Sequence, residues 1–161
     1  MNLSTRFIVV IWSGIVLALS GSELSAKAAD PQQENNKRTF ADWCRQKADL
    51  SSETKHTVEV LLKEAKTNDC DAANQKLSSL TTLSLADNKI SDIKPLASLT
   101  NLKNLELWNN QIRDIKPLAS LTNLTSLVLE GNQISDIKPL ASLAKLTLLV
   151  LISTQISDIK P

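Results

Sequence analysis

The side chains of this sequence that could do chemistry are few and widely spaced. Cys44 and Cys70 lie 26 positions apart, outside any CxxC redox motif, and His56 is the single histidine. These are too few for a zinc site built from cysteine and histidine alone. No nucleophile is spaced to meet a base, and with only 3 glycines there is no glycine-rich phosphate loop. We therefore expect no enzymatic activity and no cofactor.

A column of aspartates raises the question of calcium. Asp92, Asp114 and Asp136 recur at one spacing, but each is followed two residues later by a lysine. The glycine-rich repeat of calcium-binding β-helices is absent. Aspartate side chains at such positions commonly accept hydrogen bonds from nearby backbone N–H groups. We expect these aspartates to cap turns, and we expect no metal site.

An internal repeat must position the remaining side chains. A shift of 22 residues brings one leucine of each repeat into alignment, and the proline of each repeat aligns as well: Leu83, Leu105, Leu127 and Leu149; Pro95, Pro117, Pro139 and Pro161. The pattern L-x-x-L-x-L-x-x-N-x-I at such a period is the signature of a leucine-rich repeat. We predict three full coils and an incomplete fourth over residues 80–161. One short strand per coil would stack into a parallel sheet.

Each coil is predicted to bury its aliphatic side chains and one asparagine. In the second coil the inward positions are Leu102, Leu105, Leu107, Ile112, Ile115, Leu118 and Leu121. Asn88, Asn110 and Asn132 follow the strands, where the bending chain leaves backbone groups that a buried amide can satisfy. We interpret them as a structural asparagine ladder. The fourth coil has Thr154 instead, which predicts a weaker turn.

The concave face of the sheet is the predicted binding surface. Its side chains flank the inward strand leucines: Thr82, Ser84 and Ala86; Asn104, Glu106 and Trp108; Ser126, Val128 and Glu130; Leu148, Val150 and Ile152. The last three coils supply the candidate binding residues. Trp108 is the candidate anchor, because a solvent-facing indole at the centre of such a face is typical of interfaces. The alternative is an isolated exposed aromatic residue without a partner.

The first 28 residues have the features of a secretory signal. Residues 7–19 carry no charge, and Ala26-Lys27-Ala28 fits the small-x-small rule for cleavage. An uncleaved membrane anchor is disfavoured, because a spanning helix needs about 20 apolar residues. We predict an exported protein, periplasmic or extracellular, without membrane association after cleavage. Residues 29–38 lack large apolar side chains and read as a mobile linker.

Residues 39–79, which we call the helical cap, have helical spacing. Phe40, Trp43 and Cys44 form one apolar stripe, and residues 58, 61, 62 and 65 form another behind a candidate N-cap at Ser51. A third short helix would carry Cys70, so a Cys44–Cys70 disulfide, expected after export, would tie the first helix to the third. His56 is expected on the solvated side. Such a cap would cover the open apolar edge of the first coil.

The segment NQIRDIKPLASLTNLTSLVLEGNQISDIKPLASL, residues 110–143, closely resembles the internalin-type leucine-rich repeats of secreted bacterial proteins. The resemblance extends over residues 77–161. It implies an α/β solenoid, a right-handed arc with a concave parallel sheet and convex 3₁₀ turns. It also implies protein binding on the concave face. The cap resembles the cysteine-containing helical segments that precede the repeats in exported bacterial repeat proteins. The few repeats, and the lack of an immunoglobulin-like cap and a wall-anchoring motif, keep host-receptor binding from being carried over.

Two interpretations of function remain. The first is an exported, non-catalytic module that binds a protein partner on its concave face. The second is a C-terminally truncated fragment of a longer repeat protein with no independent function, because the sequence ends at Pro161 inside a coil. That ending leaves the inward side chains of the fourth coil uncovered, which predicts self-association through the open C-terminal coil or fraying there. The near-neutral charge argues against nucleic acid as a partner.

Overall fold

The computed structural model describes residues 38–152 and, for the backbone alone, Ile8–Val9. Apart from Ile8–Val9 and Arg38, the predicted signal peptide and linker lie outside the described residues, as do Thr154 and the end of the fourth coil. Ile8–Val9 forms a two-residue strand, β1.

Three α-helices form the helical cap. They are α1, Phe40–Arg45; α2, Ser52–Ala65; and α3, Cys70–Ser79, with a 3₁₀ turn at Lys47–Asp49 after α1. Side chains of Thr39, Ser51 and Asp69 each accept a backbone N–H at the start of a helix, which satisfies donors that a helix leaves free. The hydrogen bond from the Thr39 hydroxyl also lowers the pKa of Asp42.

The Cys44–Cys70 disulfide joins α1 to α3, with 5.6 Å between the two Cα atoms. This confirms the predicted pairing. An ion pair between Arg45 and Asp71 lies beside it on the surface. The bridge lies at the edge of a continuous apolar core, which runs from Phe40 through the inward face of α2 to the coils.

Four parallel strands, one per coil, form the sheet. They are β2, Thr82–Ser84; β3, Asn104–Glu106; β4, Ser126–Val128; and β5, Leu148–Val150. Each residue pairs with the residue one repeat further along, as Leu83 does with Leu105, so the strand order follows the chain. β1 pairs in the antiparallel direction with the edge of β5 that faces away from β4. The parallel solenoid is confirmed.

The inward side chains fill the space between the sheet and the convex turns. All seven that the sequence assigns to the second coil are at most 1% exposed. The convex side of each coil is a 3₁₀ turn: Lys94–Ser98, Lys116–Ser120 and Lys138–Ser142. The proline is the second residue of each turn. A proline fits this position, because its N–H would have no partner within the turn.

The aspartates act as turn caps. One carboxylate oxygen of Asp92, Asp114 and Asp136 accepts the backbone N–H two residues later, at 3.0, 2.9 and 3.0 Å. Each bond satisfies a donor at the entrance to a 3₁₀ turn. These carboxylates are therefore used by their own coils, as expected from the lysine that follows each of them.

The cap is hydrogen-bonded to the first coil through residues in the first half of α2. Thr54 and Thr57 are buried and donate to the side chain and the backbone oxygen of Asp92. His56 is half-buried, and its Nε2 lies 2.7 Å from the backbone oxygen of Asn88. The expectation that His56 is a solvated surface residue is therefore wrong, because that side of α2 faces a turn of the first coil.

Candidate concave-face interface

The asparagines determine where each strand ends. Asn110 is 6% exposed; its Oδ1 accepts the N–H groups of Asn88 and Ile90, and its Nδ2 donates to backbone oxygens of both its own coil and the preceding one. One coil later, Asn132 Oδ1 accepts the N–H of Ile112, and its Nδ2 again donates to backbone oxygens of its own and the preceding coil. Asn88, at the first coil, differs: its Nδ2 donates to Ala86 within its own coil. The chain therefore turns at the same point after β2, β3 and β4.

One residue before each asparagine, the backbone has a positive φ. Asp87, Asn109 and Gly131 have φ of 57°, 53° and 68°. This left-handed region costs least for glycine and is tolerated best by asparagine and aspartate. The column was not predicted, because its three residues differ in type. The only signal was that all three tolerate this conformation.

The strands present alternate side chains to the core and to the concave face. Leu83, Leu105, Leu127 and Leu149 are at most 4% exposed, while the flanking positions are half-buried or exposed. Asn104 Nδ2 lies 3.3 Å from Thr82 Oγ1 across two strands. The repeat thus brings all the predicted concave residues together on one surface.

Trp108 lies on the second of the four coils, in the row of concave residues that follows the strands, and is half-buried, less exposed than the sequence led us to expect. The hydrogen bonds from Leu107 N–H to Val128 and from Asn109 N–H to Glu130 continue the parallel register past the strands. Trp108 is therefore level with Glu130 on the next coil. On its own strand, Glu106 lies two residues earlier on the same face.

Charge and hydrophobicity change along the concave face. Glu106 is exposed and Glu130 half-buried, and within residues 38–152 neither carboxylate forms a hydrogen bond or an ion pair. On the fourth coil Leu148 is 42% exposed, and Val150 and Ile152 are half-buried. The face thus passes from hydroxyl groups at the first coil, through an indole flanked by carboxylates, to an aliphatic row.

Other surfaces of the described residues have fewer features of a binding site. A shallow cleft of about 290 Å³ lies between the start of α2 and the first two coils, with Glu53, Lys94 and Arg113 in its wall. Arg113 donates to Gln133 at 2.8 Å, and Lys94 pairs with Asp92 at 3.3 Å. Among the described residues, no three histidine, cysteine or acidic side chains are placed to hold a metal ion.

Comparison with known proteins agrees with this geometry. The sequence matches the family described as leucine rich repeats (2 copies) over residues 78–120 and 122–161, just over half of the chain. A search of the curated proteins found no match. Many solved structures are similar, among them three internalins.

The three structures are all from Listeria monocytogenes. Internalin C2 is 49% identical, with a TM-score of 0.52, and the match covers 54% of this chain and 38% of that one. An internalin described as inlF is 34% identical with a TM-score of 0.56, covering 65% and 31%. The functional domain of InlJ, at 20% identity and a TM-score of 0.58 over 76% and 25%, supports the fold alone. The chain thus spans well under half the length of each of these structures.

Proposed function

This chain belongs to the leucine-rich repeat family, with repeats of the internalin type, and we propose that it is a non-catalytic module that binds a protein partner on its concave face. The observation that carries the proposal is the contrast between the two sides of one short sheet. The inward side repeats leucine in every coil, whereas the concave side carries different residues in each coil. A surface of this kind can be altered without disturbing the core.

The concave side chains have the properties of an interface. Trp108 is half-buried on the second coil, and Leu148 is exposed on the same face two coils further on. Aromatic anchors surrounded by smaller groups are typical of residues that dominate binding energy. The parallel ladder beneath them keeps their spacing fixed, so little ordering would be needed on binding.

We also propose that the chain is exported by its first 28 residues and acts in the periplasm or outside the cell. Two observations support this. The segment has the uncharged stretch and small-x-small site of a signal peptide, and the folded cap contains a disulfide, which persists in oxidising compartments. Within the described residues, no helix is long and apolar enough to cross a membrane.

Affinity capture with matched variants tests the binding proposal. The full chain, a concave variant Trp108→Ala and a convex variant Lys138→Ala would each be immobilised and exposed to extracellular and periplasmic extracts. We expect one or more proteins to be retained by the full chain and by the Lys138→Ala variant, but not by the Trp108→Ala variant. Proteins retained equally by all three baits would argue against the concave face as the binding surface.

A further inference from the structure

We infer that the concave face recognises its partner through a basic side chain, seated over Trp108 between Glu106 and Glu130, with an aliphatic side chain of the same partner on the fourth coil. This rests on the proposed function and specifies the partner's chemistry. The first observation is one of charge. None of the twelve concave side chains is a lysine or an arginine, and two of them are glutamates.

These carboxylates are not already used by the protein. Within residues 38–152, the acidic residues in ion pairs are Asp42, Asp71 and Asp92. The ladder asparagines form no hydrogen bond with the side chain of Glu106 or Glu130. The backbone oxygens of Glu106 and Glu130 do accept ladder hydrogen bonds, from Leu85 and Asn109, at 2.8 Å each. Their main chains are therefore fixed while their carboxylates remain available to a ligand.

The backbone register places the two glutamates next to Trp108, one on its own coil and one on the next coil. Glu130 lies level with Trp108 on the next coil, about 4.8 Å away in the backbone, and Glu106 precedes Trp108 by two residues, about 7 Å along the chain. An indole attracts a cation over its face, and a carboxylate pairs with a guanidinium through two hydrogen bonds. Arginine satisfies both requirements at once, which lysine does less well.

Other ligands fit this centre poorly. An anionic ligand such as a phosphate would meet two like charges. A wholly apolar ligand would bury two carboxylates without partners, which is costly. A basic side chain is the one class that uses the indole and both charges together.

The neighbouring coils define the rest of the partner. Glu130 is followed, one coil on, by Ile152, and the same coil presents Val150 and the exposed Leu148. Two strand spacings separate the second and fourth coils, about 10 Å, which two or three residues of an extended chain cover. We therefore assign to the partner an extended segment with an arginine and, two or three residues away, an aliphatic side chain.

Selection from a library of short random peptides displayed on phage tests the inference, with the full chain as bait. We expect enrichment of peptides that carry arginine two or three residues from an aliphatic residue. One selected peptide would then be synthesised with arginine and with citrulline, its neutral isostere, and titrated by fluorescence anisotropy. Loss of the charge should weaken binding about tenfold or more.

A charge-matched pair of variants provides the control. Glu106→Gln/Glu130→Gln should remove the difference between the arginine and citrulline peptides. Glu59→Gln/Glu64→Gln, which removes two exposed charges from α2, should leave it unchanged.

Three other outcomes are distinct. If the enriched peptides lack basic residues and their binding is lost in the Trp108→Ala variant, this inference is overturned. The concave face would then still be the binding surface. No enriched peptides, or peptides that survive every concave variant, would contradict the proposed function as well. Sedimentation could instead show that the chain alone forms a salt-sensitive dimer, which the Glu106→Gln/Glu130→Gln variant does not form. The occupant of the concave face would then be a second copy of the chain, and the proposal of a separate partner would be overturned.

Discussion

The hydroxyl oxygen of Thr57 lies 2.6 Å from the backbone oxygen of Asp92, across the boundary between the helical cap and the first coil. Thr57 is fully buried, so this bond is formed out of contact with water. One helical turn earlier, Thr54 donates to the Asp92 carboxylate at 2.5 Å, while the other carboxylate oxygen caps the convex turn. Asp92 therefore links the cap to the coils in addition to the local role that it shares with Asp114 and Asp136.

Replacing Thr57 with valine should destabilise this boundary. The substitution keeps the shape of the side chain but leaves the Asp92 oxygen buried without this donor, at a cost of about 1–3 kcal/mol. The free energy of unfolding would be measured in urea. The control is Thr81→Val, an exposed threonine beside β2, which should change little. Equal effects of the two variants would mean that the hydroxyl bond does not stabilise the boundary.

The asparagines should not contribute equally. Asn110→Ala leaves two backbone N–H groups and two carbonyls of adjoining coils without the amide, and should cost about 3 kcal/mol or more. Asn88→Ala removes a single side-chain bond to its own coil and should cost about 1 kcal/mol. Denaturant unfolding of both variants measures the difference. Similar losses for both would show that bonds to the preceding coil add little.

Two adjacent residues of the second coil should separate stability from binding. Leu107 is fully buried, and Leu107→Ala should cost about 2–5 kcal/mol through lost burial and the cavity left behind. Trp108→Ala removes a half-buried side chain from the opposite face and should cost clearly less, while abolishing partner or peptide binding. Thermal melts and binding assays of both variants make the comparison. A Trp108→Ala variant that melts as early as Leu107→Ala would contradict an interface role for the indole.

Gly131 should not tolerate a side chain. A Cβ there would lie 2.4 Å from Asn109 Oδ1, and φ is 68°. Gly131→Ala should therefore destabilise by about 1–3 kcal/mol. In the double variant Asn109→Gly/Gly131→Ala the clash is gone and part of the loss should be recovered, which a double-mutant cycle of unfolding free energies would measure. Purely additive effects would show that backbone conformation, and not the contact, sets the cost.

The disulfide should contribute measurably to stability. By the chain-entropy relation, closing a loop of 26 residues contributes about 3–4 kcal/mol, so Cys44→Ser/Cys70→Ser should lose about that amount. The intact mass of exported protein, before and after reduction and alkylation, tests the bridge and the predicted start at Ala29 together. Unreduced material that takes up two alkyl groups would show that the bridge does not form in the exported protein.

The repeat made much of this fold predictable, because a period of 22 residues fixes which leucines face inward and which residues share the concave face. The left-handed turns were missed, since Asp87, Asn109 and Gly131 share a conformation but not a residue type. The docking of α2 was missed for another reason. Thr54 and Thr57 extend the buried stripe of α2. Threonine does not mark either a polar or an apolar face in a hydrophobic pattern, so the sequence does not show which element these side chains contact. Periodicity describes one element at a time, whereas His56 is positioned by the coil it meets.

The hydrogen bonds of the coils have a mechanical consequence. Side-chain and backbone bonds between coils join residues 20 to 25 positions apart, so each coil is held mainly by its immediate neighbours. A force applied to the C-terminal end of the chain would break these bonds sequentially, one coil at a time. Each coil of 22 residues would release roughly 70–80 Å of extended chain before the next row bears the load. The Cys44–Cys70 disulfide would keep the loop between α1 and α3 closed under the same load, and the coils would yield in steps toward the N-terminal end.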